Sequence, residues 1–160
     1  MPEADTKSKE TQVVIFSLAK ELFGVRTNQV REISKMIEIT NMPKAPAFIK
    51  GVINLRGKVI AVIDLAKQLD LPSTPQDKEA RIIVVDVDDN IVGMIVDSAS
   101  EVLRLPEENI EPTPAAIESR IDTRYIEGIG KAKDRLFVLL NLNKVLSSEE
   151  VEIIEKSPSS

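Results

Sequence analysis

The chain has 160 residues, 42% of them hydrophobic and 29% charged, with a net charge of −5 and a pI near 4.9. It contains no His, Cys or Trp, which excludes a serine–histidine triad, a cysteine nucleophile, histidine phosphorylation, an imidazole or thiolate metal site and any disulfide framework. An acidic chain without a Lys/Arg block also argues against a nucleic-acid backbone or an anionic membrane surface as partner.

Residues 1–11 are polar, lack the apolar segment of a signal peptide and read as a disordered tail. No apolar run approaches the roughly 18 residues of a membrane span, so direct membrane insertion is not expected and a cytoplasmic location is. Residues 13–18 and 22–26 are rich in β-branched and aromatic side chains and flank Ala19-Lys20-Glu21, which predicts a hairpin. Glu32, in Val30-Arg31-Glu32-Ile33, falls on a further strand. Residues 51–55 and 58–63 flank Arg56-Gly57, a second hairpin with Gly supplying a positive φ. Val59-Ile60-Ala61-Val62-Ile63 shows no polar alternation and should be covered on both faces. Asp64 then reads as the N-cap of a short helical turn.

Residues 73–80 follow Pro72, open with Ser73-Thr74-Pro75 and form a linker. Beyond it the elements recur. Residues 82–87 and 91–96 predict a hairpin around Asp88-Asp89-Asn90. Glu107-Glu108 lies in a loop running from Pro106 to Pro114 and reads as solubilising surface. Leu136-Phe137-Val138-Leu139-Leu140 is again apolar throughout, and Asn141 stands where Asp64 stood. Ser147-x-x-Glu150 is a capping-box pattern that opens an amphipathic helix over 147–156, followed by a tail at 157–160.

The recurrence is a duplication. A shift of 69 residues places Val13-Val14-Ile15-Phe16 on Ile82-Ile83-Val84-Val85 and Glu32-Ile33 on Glu101-Val102. A shift of 77 places Phe48-Ile49-Lys50-Gly51-Val52 on Tyr125-Ile126-Glu127-Gly128-Ile129, and runs on without a gap to residue 146. About five short strands per half suits a small closed barrel better than a sandwich. The expectation is a mainly β protein of two five-stranded barrel subdomains, 12–72 and 81–146, with a short C-terminal helix.

Three tempting motifs fail. Gly51-x5-Gly57-Lys58-Val59 is one residue too long for a phosphate loop, lacks the hydroxyl for Mg²⁺, and precedes a strand rather than a helix. Asp86-x-Asp88-x-Asn90 has Ile91 where a calcium loop needs its turn Gly. Gly128-x-Gly130 lacks the third Gly of a dinucleotide site. No carboxylate pair can be placed in a pocket, so an enzyme is not expected. Glu32 and Arg56 keep two readings. They are separate solvated residues, or they pair as a carboxylate–guanidinium bridge ordering the surface.

The block Gly51-Val52-Ile53-Asn54-Leu55-Arg56-Gly57, with Phe48-Ile49-Lys50 before it and Val59 to Leu65 after it, closely resembles the CheW family of chemotaxis coupling proteins. The likeness continues in Val30-x-Glu32-Ile33, Gly93-Met94-Ile95-Val96-Asp97 with Glu101-Val102-Leu103, and Tyr125-Ile126-x-Gly128, covering roughly 12–155. Ala61 departs from it, standing where the family usually has Pro. The resemblance implies two SH3-like β-barrels and an adaptor, monomeric when free, between the histidine kinase CheA and methyl-accepting chemotaxis receptors, with neither catalysis nor cofactor. It implies a receptor contact at Val30, Glu32, Ile33, Arg56 and Gly57, with Val102 across a groove from the second half. It also implies kinase contacts at Ile39, Lys50 and Val59, and a second kinase contact in the loop carrying Glu111, Pro112 and Ala116. A detached regulatory domain of CheA is the alternative inside the resemblance, although no ATP-binding or phosphotransfer segment is present and the start at Met1 points to the free coupler. A nucleic-acid-binding barrel is the alternative outside it, and five aromatics with an acidic pI speak against the basic, stacking groove it needs.

Overall fold

A computed structural model describes residues 9–72, 78–87, 89–112, 125–132, 134–146 and 150. Ala116, most of the linker and tails, and all but Glu150 of the expected C-terminal helix lie outside them. The strands in chain order are β1 (Glu10–Leu18), β2 (Glu21–Arg26), β3 (Val30–Lys35), β4 (Ile49–Leu55), β5 (Lys58–Asp64), β6 (Arg81–Val87), β7 (Asn90–Val96), β8 (Ser98–Pro106), β9 (Ile110–Glu111), β10 (Ile126–Ala132) and β11 (Arg135–Leu140). Helical turns follow β5 at Leu65–Gln68 and β11 at Leu142–Val145. Asp64 Oδ1 accepts the Lys67 N–H at 3.2 Å and Asn141 Oδ1 that of Asn143 at 3.1 Å, so both predicted caps are made.

The hairpins form where the sequence places them, with tighter turns. Leu18 pairs with Glu21, leaving a two-residue loop in which Ala19 and Lys20 have φ of 53° and 67°. Such paired positive φ values match the right-handed twist of the strands. The first strand also starts at Glu10 rather than after the tail, because Glu10 and Thr11 pair with Pro106 and Leu105 of β8.

The strands assemble into a six-stranded sheet, β8-β1-β2-β11-β10-β9, and a five-stranded sheet, β3-β6-β7-β5-β4. Each sheet takes its central hairpin from the other repeat. Hairpin β1–β2 joins β8 to β11 of the second half, and hairpin β6–β7 joins β3 to β5 of the first half. Every join has its counterpart: β2 runs parallel to β11 as β7 does to β5, and β1 pairs with β8 as β6 does with β3. The repeats at 12–72 and 81–146 are therefore units of sequence, while the sheets are built across them. Even the irregularities are copied. Bulges leave Arg31 and Ser100 unpaired in the β3 and β8 ladders, and Lys50 and Glu127 unpaired in the β4 and β10 ladders.

This exchange explains the strands without polar alternation. Val14, Phe16, Phe23, Ile63, Ile83, Met94 and Leu140 meet in one core shared by both sheets, where Phe16 and Phe23 stack with centroids 5.9 Å apart. The alternate residues turn inside the curl of their own sheet. Ile53, Ile60, Val62, Ile82, Val84 and Ile95 fill the five-stranded one, and Val13, Ile15, Leu105, Phe137 and Leu139 the six-stranded one. Period-two strands with three apolar layers to fill need apolar residues at both phases. Coverage ends at the turn-proximal residues: Val59 and Leu136 are 39% and 60% exposed, against the expectation for their runs.

Among the described residues neither sheet closes through a continuous ladder, so the expected closed barrels are not found. The edges are β3 and β4 in one sheet, β8 and β9 in the other. The chain instead leaves one edge and crosses to the opposite one, where it makes a short contact. After β3, Thr40 exchanges two backbone hydrogen bonds with Val52 of β4, at 2.8 and 2.9 Å. After β8, a 3-10 turn at Glu107–Asn109 leads into β9, which pairs with Ile129 and Gly130 of β10. Glycine makes room at both seats. A Cβ on Gly51 would stand 2.3 Å from the Thr40 carbonyl oxygen, and one on Gly128 2.7 Å from that of Glu111.

Candidate functional site

The turn between β4 and β5 is set by its own sequence. Asn54 Oδ1 accepts the Gly57 N–H at 2.9 Å, and Arg56 and Gly57 adopt φ of 54° and 86°. Gly57 takes a positive φ without cost, but Arg56 does not, and a non-glycine residue held there costs roughly 1–2 kcal/mol. That strain projects the guanidinium from the sheet edge, and Arg56 Nη1 donates to Glu32 Oε1 on β3. The bridge reading of the two residues is the one the structure makes. The pair spans the open side of the five-stranded sheet, since β3 and β4 are its opposite edges. Glu32 is half-buried and Arg56 largely exposed, so the pair contributes little stability but fixes an orientation.

Nearby surface is partly apolar. Ile33 on β3 is exposed, as are Val59 on β5 and Ile37 beyond β3. The other residues singled out in sequence fall into different environments. Val30 packs against the shared core, and Ile39 against the interior of the five-stranded sheet. Gly57 and Lys50 are exposed, Lys50 as the bulged residue of β4. Glu111 and Pro112 are exposed at the far edge of the six-stranded sheet. Val102 is 55% exposed on β8, so it belongs to the six-stranded sheet and not to the cluster around Glu32.

Val102 has its own surroundings, and they repeat the first site. Glu101 accepts from Arg135 Nη2, which joins β8 to the β10–β11 hairpin as Glu32 and Arg56 join β3 to β4–β5. Leu136, exposed here, is the counterpart of Val59, and Val102 that of Ile33. The second pair is not a register copy of the first: the shift of 69 carries Glu32 to Glu101, but the shift of 77 carries Arg56 to Lys133 and sets Arg135 on Lys58.

A third ionic cluster escaped the sequence reading. Arg26, at the end of β2, donates through Nε to both Glu127 oxygens at 3.1 and 3.2 Å and through Nη2 to the nearer of them. Its Nη1 donates to Glu107 at 2.7 Å and to Thr11 Oγ1 at 2.9 Å. Glu127 first, then Glu107, raises the Arg26 pKa above its ordinary value against the cost of partial burial. Glu107 is thus a structural partner and not merely solvated surface. An Arg at a strand end and a Glu at a bulge share no sequence signature; only the fold brings them together.

No side chain of a polar or charged residue is fully buried among the described residues, and no group of three or more acidic residues there is placed to hold a metal. The arrangement offers fixed ion pairs flanked by exposed apolar side chains. That is the chemistry of recognition.

A CheW-like domain model matches residues 12–150. The chain belongs to the CheW family. It is 38% identical to the chemotaxis protein CheW of Bacillus subtilis over 146 residues, covering 91% of this chain and 92% of that one. The CheW of Klebsiella aerogenes is 34% identical over 144 residues, covering 90% and 86%. Among solved structures, the scaffolding protein TtCheW of Thermoanaerobacter tengcongensis superposes with a TM-score of 0.80 at 39% identity, covering 89% of this chain and 91% of that one. No described helix is long and apolar enough to cross a membrane.

Proposed function

We propose that this CheW-family chain is a non-catalytic adaptor of chemosensory signalling, coupling methyl-accepting receptors to the histidine kinase CheA. It acts in the cytoplasm as a free monomer that is recruited to receptor arrays. The two curled sheets, each with an interior core and an edge-to-edge crossover, are read as SH3-like barrels whose closure is made by those crossovers. The observation that carries the site assignment is the Arg56 turn, held at a positive φ and paired across the sheet opening with Glu32. Strained backbone that presents one side chain is a device of binding surfaces.

The receptor contact comprises Val30, Glu32, Ile33, Arg56 and Gly57, with Val102 from the second sheet. An amphipathic receptor hairpin lays its apolar face on Ile33, while Glu32 and Arg56 set its register. Val30 contributes by supporting β3 from the core side. The kinase contacts comprise Lys50 at the bulge of β4, Val59 beside the β4–β5 turn and Ile39 packed on the interior of the five-stranded sheet, with Glu111 and Pro112 at the crossover of the six-stranded sheet and Ala116 further along the chain. Control of the kinase is then a shift among assembly geometries, with no chemistry at the coupler.

Co-elution tests the reading. The purified chain should form separate complexes with the CheA regulatory domain and with a receptor cytoplasmic fragment, and a ternary complex with both. Failure to bind either partner, or retention of single-stranded nucleic acid at low salt in their place, would overturn it.

A further inference from the structure

We infer that Arg26 is a positioning residue for the second kinase contact, gripping Glu107 and Glu127 so that residues 107–112 lie in one fixed register on the edge of the six-stranded sheet. The inference rests on the reading of Glu111 and Pro112 as part of a kinase contact.

The crossover is otherwise held by Ile110, packed against the interior of the six-stranded sheet, and by a few hydrogen bonds. β9 is two residues long, with pairing only to Ile129 and Gly130. A strand of that length is marginal by itself. Asn109 adds one hydrogen bond, from Nδ2 to the Lys131 carbonyl at 3.2 Å, and the Glu107 N–H adds another, to the Lys9 carbonyl at 3.0 Å. Arg26 supplies the side-chain anchor. Its guanidinium bridges a residue of the crossover, Glu107, to a residue of the strand on which the crossover lands, Glu127. The β10 bulge makes this possible, because an unpaired residue at a bulge is re-aimed out of the ladder. Glu111 follows Glu107 by one turn and a short strand, so a displaced Glu107 displaces the contact.

Two observations separate this role from simpler ones. Arg26 lines an open cleft of about 390 Å³, which would suit an anion site. All three guanidinium nitrogens already donate to Glu107, Glu127 or Thr11, however, so little is left for a ligand. The repeat also provides an internal control. The positions related to Arg26 and Glu127 are Ile95 and Lys50, which cannot make such a grip, and there the crossover has the Thr40–Val52 backbone pair, the counterpart of Glu111–Ile129, without an ionic anchor between those positions. The grip is thus found at one end of the duplicated fold and not at the related positions of the other.

The test compares Arg26→Gln, Arg26→Lys, Glu107→Gln and Glu111→Lys in the full chain. Each is titrated against the CheA regulatory domain and against a receptor fragment, with melting temperature and amide hydrogen exchange at Ile110 and Glu111 recorded alongside. Arg26→Gln and Glu107→Gln should weaken kinase-domain binding about tenfold, leave receptor binding unchanged and accelerate exchange at both amides. Arg26→Lys should restore part of the affinity, since one ammonium can serve one carboxylate but not the fork of two. If Glu111→Lys weakens the complex while Arg26→Gln and Glu107→Gln do not, the positioning role is wrong and the contact stands. If Glu111→Lys has no effect, the contact itself is wrong. Equal losses toward both partners that track melting temperature would reduce Arg26 to a general stabilising residue and overturn the inference.

Discussion

At the open side of the five-stranded sheet, the crossover meets β4 through the Thr40 backbone pair and Ile39, and the Glu32–Arg56 pair spans the edges. At the six-stranded sheet the same backbone recurs, with its bulges, its glycine seat and its Glu101–Arg135 pair, but Arg26 adds a half-buried grip on the crossover. The duplication copied the backbone devices and left the charges free to diverge. Lys50 stays exposed at one bulge, while its counterpart Glu127 is consumed internally at the other. Two ends alike in shape and unlike in charge can meet different partners, or one partner in a defined orientation.

The largest effect should come from the core that both sheets share. Phe23→Ala removes a fully buried ring stacked on Phe16, at a cost of about 3–5 kcal/mol. Because the exchanged hairpins tie the sheets together, chemical denaturation should remain a single transition. Two resolved transitions would break the view that the repeats fold as one unit. The next effect compares the glycine seats. Gly51→Ala and Gly128→Ala should each cost about 1–3 kcal/mol, more at Gly51, where the added carbon meets the Thr40 oxygen at 2.3 Å rather than the Glu111 oxygen at 2.7 Å. Thermal melts that put Gly128→Ala at the larger loss would reverse the assignment of the tighter closure.

How far these devices were legible in sequence depends on their range. Turn residues and caps act within a few positions, so Arg56-Gly57, Asp64 and Asn141 announced themselves. The duplication was legible because side-chain period and glycine spacing survive divergence. The exchange of hairpins was not, since the parallel joins of β2 to β11 and β7 to β5 involve residues far apart in the chain. Its only trace was the unbroken apolar character of strands such as Val13-Val14-Ile15-Phe16, which a single-sided sheet does not require. Glu32 and Arg56 were visible as a candidate pair because the local motifs placed them on a strand and a turn. Arg26 was invisible: nothing near it in sequence predicts that Glu107 and Glu127 converge on it.

Smaller effects sharpen the contrast between the two ends. Arg26→Gln leaves two carboxylates facing each other and should cost about 1–2 kcal/mol, whereas Lys50→Gln at the exposed bulge of β4 should change stability by no more than about 0.5 kcal/mol. Urea unfolding of the two variants measures the difference, and equal losses would show that the charges at the two bulges play equivalent roles. Smallest in stability is Arg56→Lys, at about 0.2–1 kcal/mol for a pair this exposed.

That variant also provides the most direct test of the coupling function. Receptor, CheA and this chain are reconstituted together, and kinase autophosphorylation is measured with the natural chain and with Arg56→Lys at matched folded concentration. The natural chain should activate the kinase only when receptor is present, and Arg56→Lys should lose most of that activation while keeping its melting temperature within a few degrees, because Lys cannot offer the planar fork that holds Glu32 and the receptor in register. No receptor-dependent activation by the natural chain, or full activation by Arg56→Lys, would contradict the account.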